Sequence, residues 1–104
     1  MIVLDLSGKV TLGEGDEALL NAITDLVRTQ GARQLLINLE NVPYMDSSGI
    51  GTLVLCHRCA VQGNATVKLL NTRKRVYDLL QVVKLDSIFA CFSDEQEAIA
   101  SFSS

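Results

Sequence analysis

The segment Met45-Asp46-Ser47-Ser48-Gly49-Ile50-Gly51 gathers the residue types in this chain best suited to chemistry. Asp46 and Ser47 are both good N-cap types, and Gly49 and Gly51 leave little side-chain bulk around the start of a helix. The first N–H groups of a helix lack intrahelical acceptors and carry the positive end of its dipole, so an anion is welcome there. A serine hydroxyl at that point can accept a phosphoryl group whose charge the helix start stabilises, without refolding the domain. A gain of about −1.5 to −2 charge beside Asp46 would change what docks at the surface, through like-charge repulsion and bulk. On local pattern alone the plainer reading is a capping sequence with no further chemistry.

Other reactive residues fit worse. A serine hydrolase needs a base, and the only histidine, His57, lies nine residues beyond Ser48 on the same expected helix. A rise of 1.5 Å per residue puts the two roughly 13 Å apart and on opposite sides. The segment also lacks a Gly-x-Ser-x-Gly elbow. Cys56-His57-Arg58-Cys59 has the spacing of a redox pair, yet it falls two turns into the helix, away from the N-terminus that stabilises a thiolate. Zinc normally takes four ligands and only Cys91 remains as an obvious further donor, so the cysteines read as structural thiols. Arg73-Lys74-Arg75 is the only basic cluster and sits near an expected helix start, where it reads first as a solvated face and second as a contact for a partner or an anion. Gly49-Ile50-Gly51 matches neither a phosphate-binding loop nor a dinucleotide fingerprint.

The elements that must position these residues follow from periodicity. Ile2, Leu4 and Leu6 alternate with Val3, Asp5 and Ser7, a half-buried strand ended by Gly8 that Val10 and Leu12 could prolong. Thr11 to Asp16 reads as a loop with an acidic end. Leu19, Leu20, Ile23, Leu26 and Val27 form one face of a helix running to Gly31, placed for a left-handed C-cap. Gln34 to Leu39 is a mostly apolar run, as in a central strand. The loop Asn41 to Ser48 then feeds a helix with Ile50, Leu53, Val54 and Val61 inward, broken by Gly63-Asn64. Thr66 to Leu70 is a third strand. Thr72 is placed to cap a third helix with Val76, Leu79, Leu80 and Val83 inward, and Ser87 to Phe92 reads as a fourth strand. Ser93 or Asp94 caps a last helix with Ala98, Ile99 and Phe102 inward. Alternating strands and helices imply an α/β layer structure with a largely parallel sheet.

The whole chain narrows the classes of function. Its 104 residues fit one domain, 1–104, with 48% apolar and 20% charged residues, the balance of a soluble globular protein. The apolar opening is short and lacks a basic flank, and no apolar run approaches the roughly 20 residues of a membrane span, so a cytoplasmic protein without membrane insertion is expected. Three cysteines argue against a disulfide framework. A net charge of −3 removes the electrostatic basis for sequence-independent nucleic-acid binding and favours a protein partner.

Tyr44-Met45-Asp46-Ser47-Ser48-Gly49-Ile50-Gly51 resembles the signature of STAS-domain anti-sigma factor antagonists, the SpoIIAA-like bacterial regulators. The resemblance extends through Leu6-Ser7-Gly8-Lys9, Leu36-Ile37-Asn38-Leu39, Arg75-Val76, Leu79-Leu80, Leu85 to Phe89, and Glu97-Ala98-Ile99. It implies a SpoIIAA-like fold, with about four strands in a mostly parallel mixed sheet and helices packed mainly on one face. It also implies partner switching. The unphosphorylated protein binds an anti-sigma factor, a serine kinase of the GHKL type; the kinase phosphorylates it and releases it; a PP2C-type phosphatase reverses the step.

Carried over by position, the acceptor is Ser48, directly before Gly49, ahead of Ser47, and Asp46 orients the hydroxyl. Partner contact falls on Tyr44, Met45, Asp46, Ser47, Ser48, Gly49 and Ile50, with Tyr44 and Met45 readable either as a plug beneath the helix or as docking surface. No cofactor, metal or catalytic residue is implied. Members of the family often begin with a further edge strand, which this sequence does not include ahead of Ile2. The alternative is a non-switching STAS adaptor or structural subunit of a signalling or lipid-transport complex, with Ser48 only a cap. The oligomeric state is open on this reading.

Overall fold

The computed structural model describes residues 1–7 and 14–102, with side chains from Glu17 onward in the second stretch. The suggested extension of the first strand through Val10 and Leu12 and the first part of the expected loop lie outside the described residues. In chain order the elements are β1 (Ile2–Ser7), α1 (Glu14–Thr24), a π-turn (Asp25–Thr29), β2 (Gln34–Asn41), α2 (Ser47–Gln62), β3 (Thr66–Leu70), α3 (Lys74–Val82), a 3₁₀ turn (Leu85–Ser87), β4 (Cys91–Phe92) and α4 (Glu95–Phe102). The four strands stand in sequence order, β1-β2-β3-β4, and each of the three ladders is parallel.

That order decides where the helices go. Parallel crossovers are right-handed, so a chain that steps steadily across the sheet in one direction lays successive crossover helices on the same face. The larger core lies on that face: Leu35, Ile37 and Leu39 of β2 and Val67 and Leu69 of β3 meet Leu19 and Ile23 of α1, Leu53 and Cys56 of α2, and Val76 and Leu80 of α3. Among the described residues only α4, after β4, reaches the opposite face, where Leu36, Leu70 and Ala98 form a small second cluster flanked by Val3, Phe92 and Phe102. Because β2 is covered on both faces, Leu35, Leu36 and Ile37 are all fully buried and the strand reads as an unbroken apolar run. Val3 of β1 packs on the α4 side, so the face expected to be polar is apolar at that position.

The α4 face has its own fastening. Lys68 Nζ lies 4.5 Å from the ring centre of Phe102 and 5.7 Å from that of Phe92, and donates to Ser101 Oγ at 2.7 Å. Gln34 Nε2 donates to the Phe102 carbonyl at 3.2 Å.

Several expectations need correction. The fourth strand spans two residues, Cys91–Phe92, because Leu85–Ser87 turns as a 3₁₀ helix that buries Leu85 and Phe89 and leaves Ile88 exposed. Val61, Val83 and Ile99 are exposed; Cys56, Cys59 and Ala60 are the inward residues along the second half of α2, and Val83 falls at the end of α3 where the helix has stopped. Thr72 does not cap α3, whose N-cap is Arg73; its hydroxyl is buried and has no partner of hydrogen-bond geometry among the described residues. The first helix does not run uniformly to Gly31. It widens into the π-turn, closed by Gln30 N–H donating to the Asp25 carbonyl at 3.1 Å, and the chain then reverses at Gly31 with φ +69°. The π-turn presents Val27 to the end of α2, where a Cβ on Gly63 would collide with the Val27 Cγ1 methyl. Asp94 does serve α4, accepting from the Gln96 N–H at 2.8 Å.

Burial pushes the Cys56 thiol up to about 12 from 9.0, helped by neighbouring Cys59. The folded state therefore favours the protonated thiol: this contribution to stability is whole below pH 9 and is lost as the pH climbs toward 12. Urea titrations of wild type and Cys56→Ala between pH 8 and 11 are expected to diverge in slope above pH 9, the wild type losing up to about tenfold more in its folding constant per pH unit.

Candidate functional site

Helix α2 begins where the loop after β2 turns back over the sheet, and Asp46 makes that turn. Its backbone is extended (φ −94°, ψ −175°), and its Oδ1 accepts the Gly49 N–H at 2.8 Å while its carbonyl accepts the Ile50 N–H at 2.9 Å. One orphan donor of the helix start is thereby satisfied by a carboxylate that also lies at the favourable end of the dipole. Ser47 and Ser48 are the first two helical residues, Ser47 exposed and Ser48 half-buried. The buried Thr52 hydroxyl donates to the Ser48 carbonyl at 3.1 Å, so Ser48 is held from the helix side as well.

The expected contact residues divide by burial. Tyr44 is 41% exposed, Asp46 and Ser48 are half-buried and Ser47 is open to solvent, so these four form the accessible set. Gly49 and Ile50 do not belong to it: they occupy the inward side of the first turn, and Ile50 packs into the larger core. Met45, 2% exposed, is the plug beneath the helix and reaches the surface only as the floor of a groove. That groove, about 320 Å³, is walled by Tyr44, Asp46 and Ser47 on one side and by Arg75, Val76 and Leu79 of α3 on the other.

Arg75 joins this candidate site through the fold, where the sequence offered it only as one of a basic cluster. β2 and β3 are adjacent and both deliver their chains to the same edge of the sheet, so α3 starts beside α2. The Arg75 guanidinium lies 5.7 Å from the centre of the Tyr44 ring, within cation–π range. Arg73 Nε donates to the Glu40 carbonyl at 2.7 Å, and Lys74 pairs with Asp78 at 2.9 Å, an exposed bridge worth little by itself. The available signal was the Arg73-Lys74-Arg75 cluster; its partner Tyr44 lies 31 positions away in sequence and could be found only through the topology.

The other reactive residues are built into packing. His57 meets Phe89 edge-on with ring centres 5.5 Å apart. Cys56 and Cys59 are buried thiols. Cys91 is half-buried, its thiol pushed up by burial and further by Asp86, against a lowering contribution from the Thr72 hydroxyl beside it. Among the described residues, no three His, Cys, Asp or Glu side chains come together to hold a metal, and no helix is long and apolar enough to cross a membrane.

A parallel α/β layer with a doubly braced, serine-bearing helix start at the C-terminal edge of its sheet defines the class of domain. The chain belongs to the STAS domain family, matching it over residues 1–98. An anti-sigma-B factor antagonist of Staphylococcus aureus is 30% identical over 69 residues, covering 66% of this chain and 64% of that protein. The match therefore spans slightly under two thirds of the length of the curated relatives. Among solved structures, a candidate anti-sigma factor antagonist from Thermotoga maritima superposes with a TM-score of 0.84 at 19% identity over 95% of this chain and 86% of that one. The phosphorylated form of the Bacillus cell fate determinant SpoIIAA superposes with a TM-score of 0.74 at 23% identity over 96% and 88%. At these identities the likeness is one of fold.

The Asp46 cap is expected to matter to stability as well as to the site. Asp46→Ala should cost about 1 kcal/mol and Asp46→Asn a smaller amount, measured by urea denaturation at neutral pH.

Proposed function

We propose that this protein is an anti-sigma factor antagonist that works by partner switching, with Ser48 as its phosphorylation site and Ser47 as the alternative acceptor. Unphosphorylated, it binds an anti-sigma factor serine kinase of the GHKL type through Tyr44, Asp46, Ser47 and Ser48 and the adjoining face of α3. Phosphorylation releases it, and a PP2C-type phosphatase returns it to the binding form. The chain acts in the cytoplasm as substrate and ligand and contributes no catalytic residue of its own.

The observation that carries this reading is the capped helix start itself. Asp46 accepts from the Gly49 N–H and Thr52 donates to the Ser48 carbonyl, so the helix start is already formed around Ser48, and a phosphate added there would change charge and shape at the surface. An added charge of about −1.5 to −2 beside Asp46 would repel an acidic partner surface and crowd a close-fitting one. The relatives' names agree with this role, since the Staphylococcus aureus protein is an anti-sigma-B factor antagonist.

The test is incubation with a GHKL-type kinase encoded beside it and ATP, followed by intact mass and peptide mapping of wild type and Ser48→Ala. The expected outcome is one phosphate on Ser48, absent from the variant, with weaker binding of the phosphorylated form to the kinase. A stable complex that never transfers phosphate would assign the chain to adaptor function, with Ser48 a cap.

A further inference from the structure

We propose that Arg75 is the internal counter-ion of the phosphate on Ser48, so that phosphorylation closes an ion pair across the groove between α2 and α3. The proposal rests on the reading of Ser48 as the acceptor. It begins from an imbalance among the three basic residues at the start of α3. Arg73 is occupied by the Glu40 carbonyl and Lys74 by Asp78, whereas Arg75 has no carboxylate partner among the described residues and rests against the Tyr44 ring. Its guanidinium is thus held beside the acceptor loop of a chain whose net charge is −3.

Arg75 and Ser47 wall the same groove; Ser48, the next residue, is half-buried and turned about 100° further round the helix, outside that lining, so a phosphate on it would meet the guanidinium by reaching back over Ser47. A phosphoserine adds three acceptor oxygens on an extended arm, and a guanidinium offers planar N–H donors in a fork that suits them. The cation–π contact with Tyr44, at 5.7 Å, already restricts the rotamers that Arg75 would otherwise lose on pairing. The consequence reaches past the bound phosphate. Pairing draws the guanidinium out of solvent and across the groove, so phosphorylation would erase a cationic feature of the docking face as it adds an anionic one.

The experiment uses the full chain made semisynthetically with phosphoserine at position 48, which requires no kinase, and follows the phosphate by ³¹P NMR against pH. In wild type its second ionisation is expected below the value of about 6 for phosphoserine without a partner. Arg75→Ala should raise it by about half a unit or more, Arg75→Lys should hold it between the two, and Arg73→Ala should leave it at the wild-type value. Equal values in wild type and Arg75→Ala would overturn the proposal, as would an equal rise in Arg73→Ala. Failure of a kinase to modify Ser48 would count against the proposed function alone, because the semisynthetic chain answers for Arg75 independently.

Discussion

The handedness of the parallel crossover is the constraint on which the rest of this structure depends. Four strands laid down in sequence order with right-handed connections commit α1, α2 and α3 to one face and bring the starts of α2 and α3 to the same edge of the sheet. The site needs no long-range design beyond this. Tyr44, Asp46 and Ser47 arrive on the loop after β2, Arg75 arrives after β3, and adjacency of the two strands makes them neighbours. The strand that delivers the first of these residues, β2, is buried on both faces, with Leu35, Leu36 and Ile37 all sealed in apolar surroundings.

Electrostatics then specialise the edge. Asp46 places a carboxylate where a helix start is positive, and three cations stand around the start of α3, where they are opposed by its dipole. The cations are kept there by other contacts: a carbonyl for Arg73, a carboxylate for Lys74 and an aromatic face for Arg75. The two helix starts are thus opposite in side-chain charge although their backbones are alike. A docking partner meets an acidic and a basic feature divided by a groove with an apolar floor, a pattern that fixes orientation as well as contact.

Much of this was legible in the sequence, and the losses have physical causes. β3 was readable to the residue and β1 over its described span, Ile2–Ser7, because apolar patterning and bounding turn residues mark them locally. The capped helix start was readable, with Asp46 and Ser47 both offered as the cap, because capping is a contact between near neighbours in sequence; the structure selects Asp46. The short β4 was misread, since Phe89 and Phe92 look like strand residues although the first fills the helical core and only the second enters the sheet. Val61, Val83 and Ile99 were assigned inward on period alone, which marks a face but not how far along a helix the neighbouring element extends. The serine was visible in the site; the arginine was visible only as one of a basic cluster, because the feature that selects it is an aromatic ring brought near by strand order.

The cation between two rings on the far side of the sheet gives the molecule an uneven mechanical character. α4 is joined to the sheet by three fully buried residues, a lysine clasped by Phe92 and Phe102, and two polar ties, whereas α1 to α3 share a core of some twenty residues. Opening free energies in such a molecule are graded: the terminal helix can peel away as a separate leaf while the three-helix side stays folded.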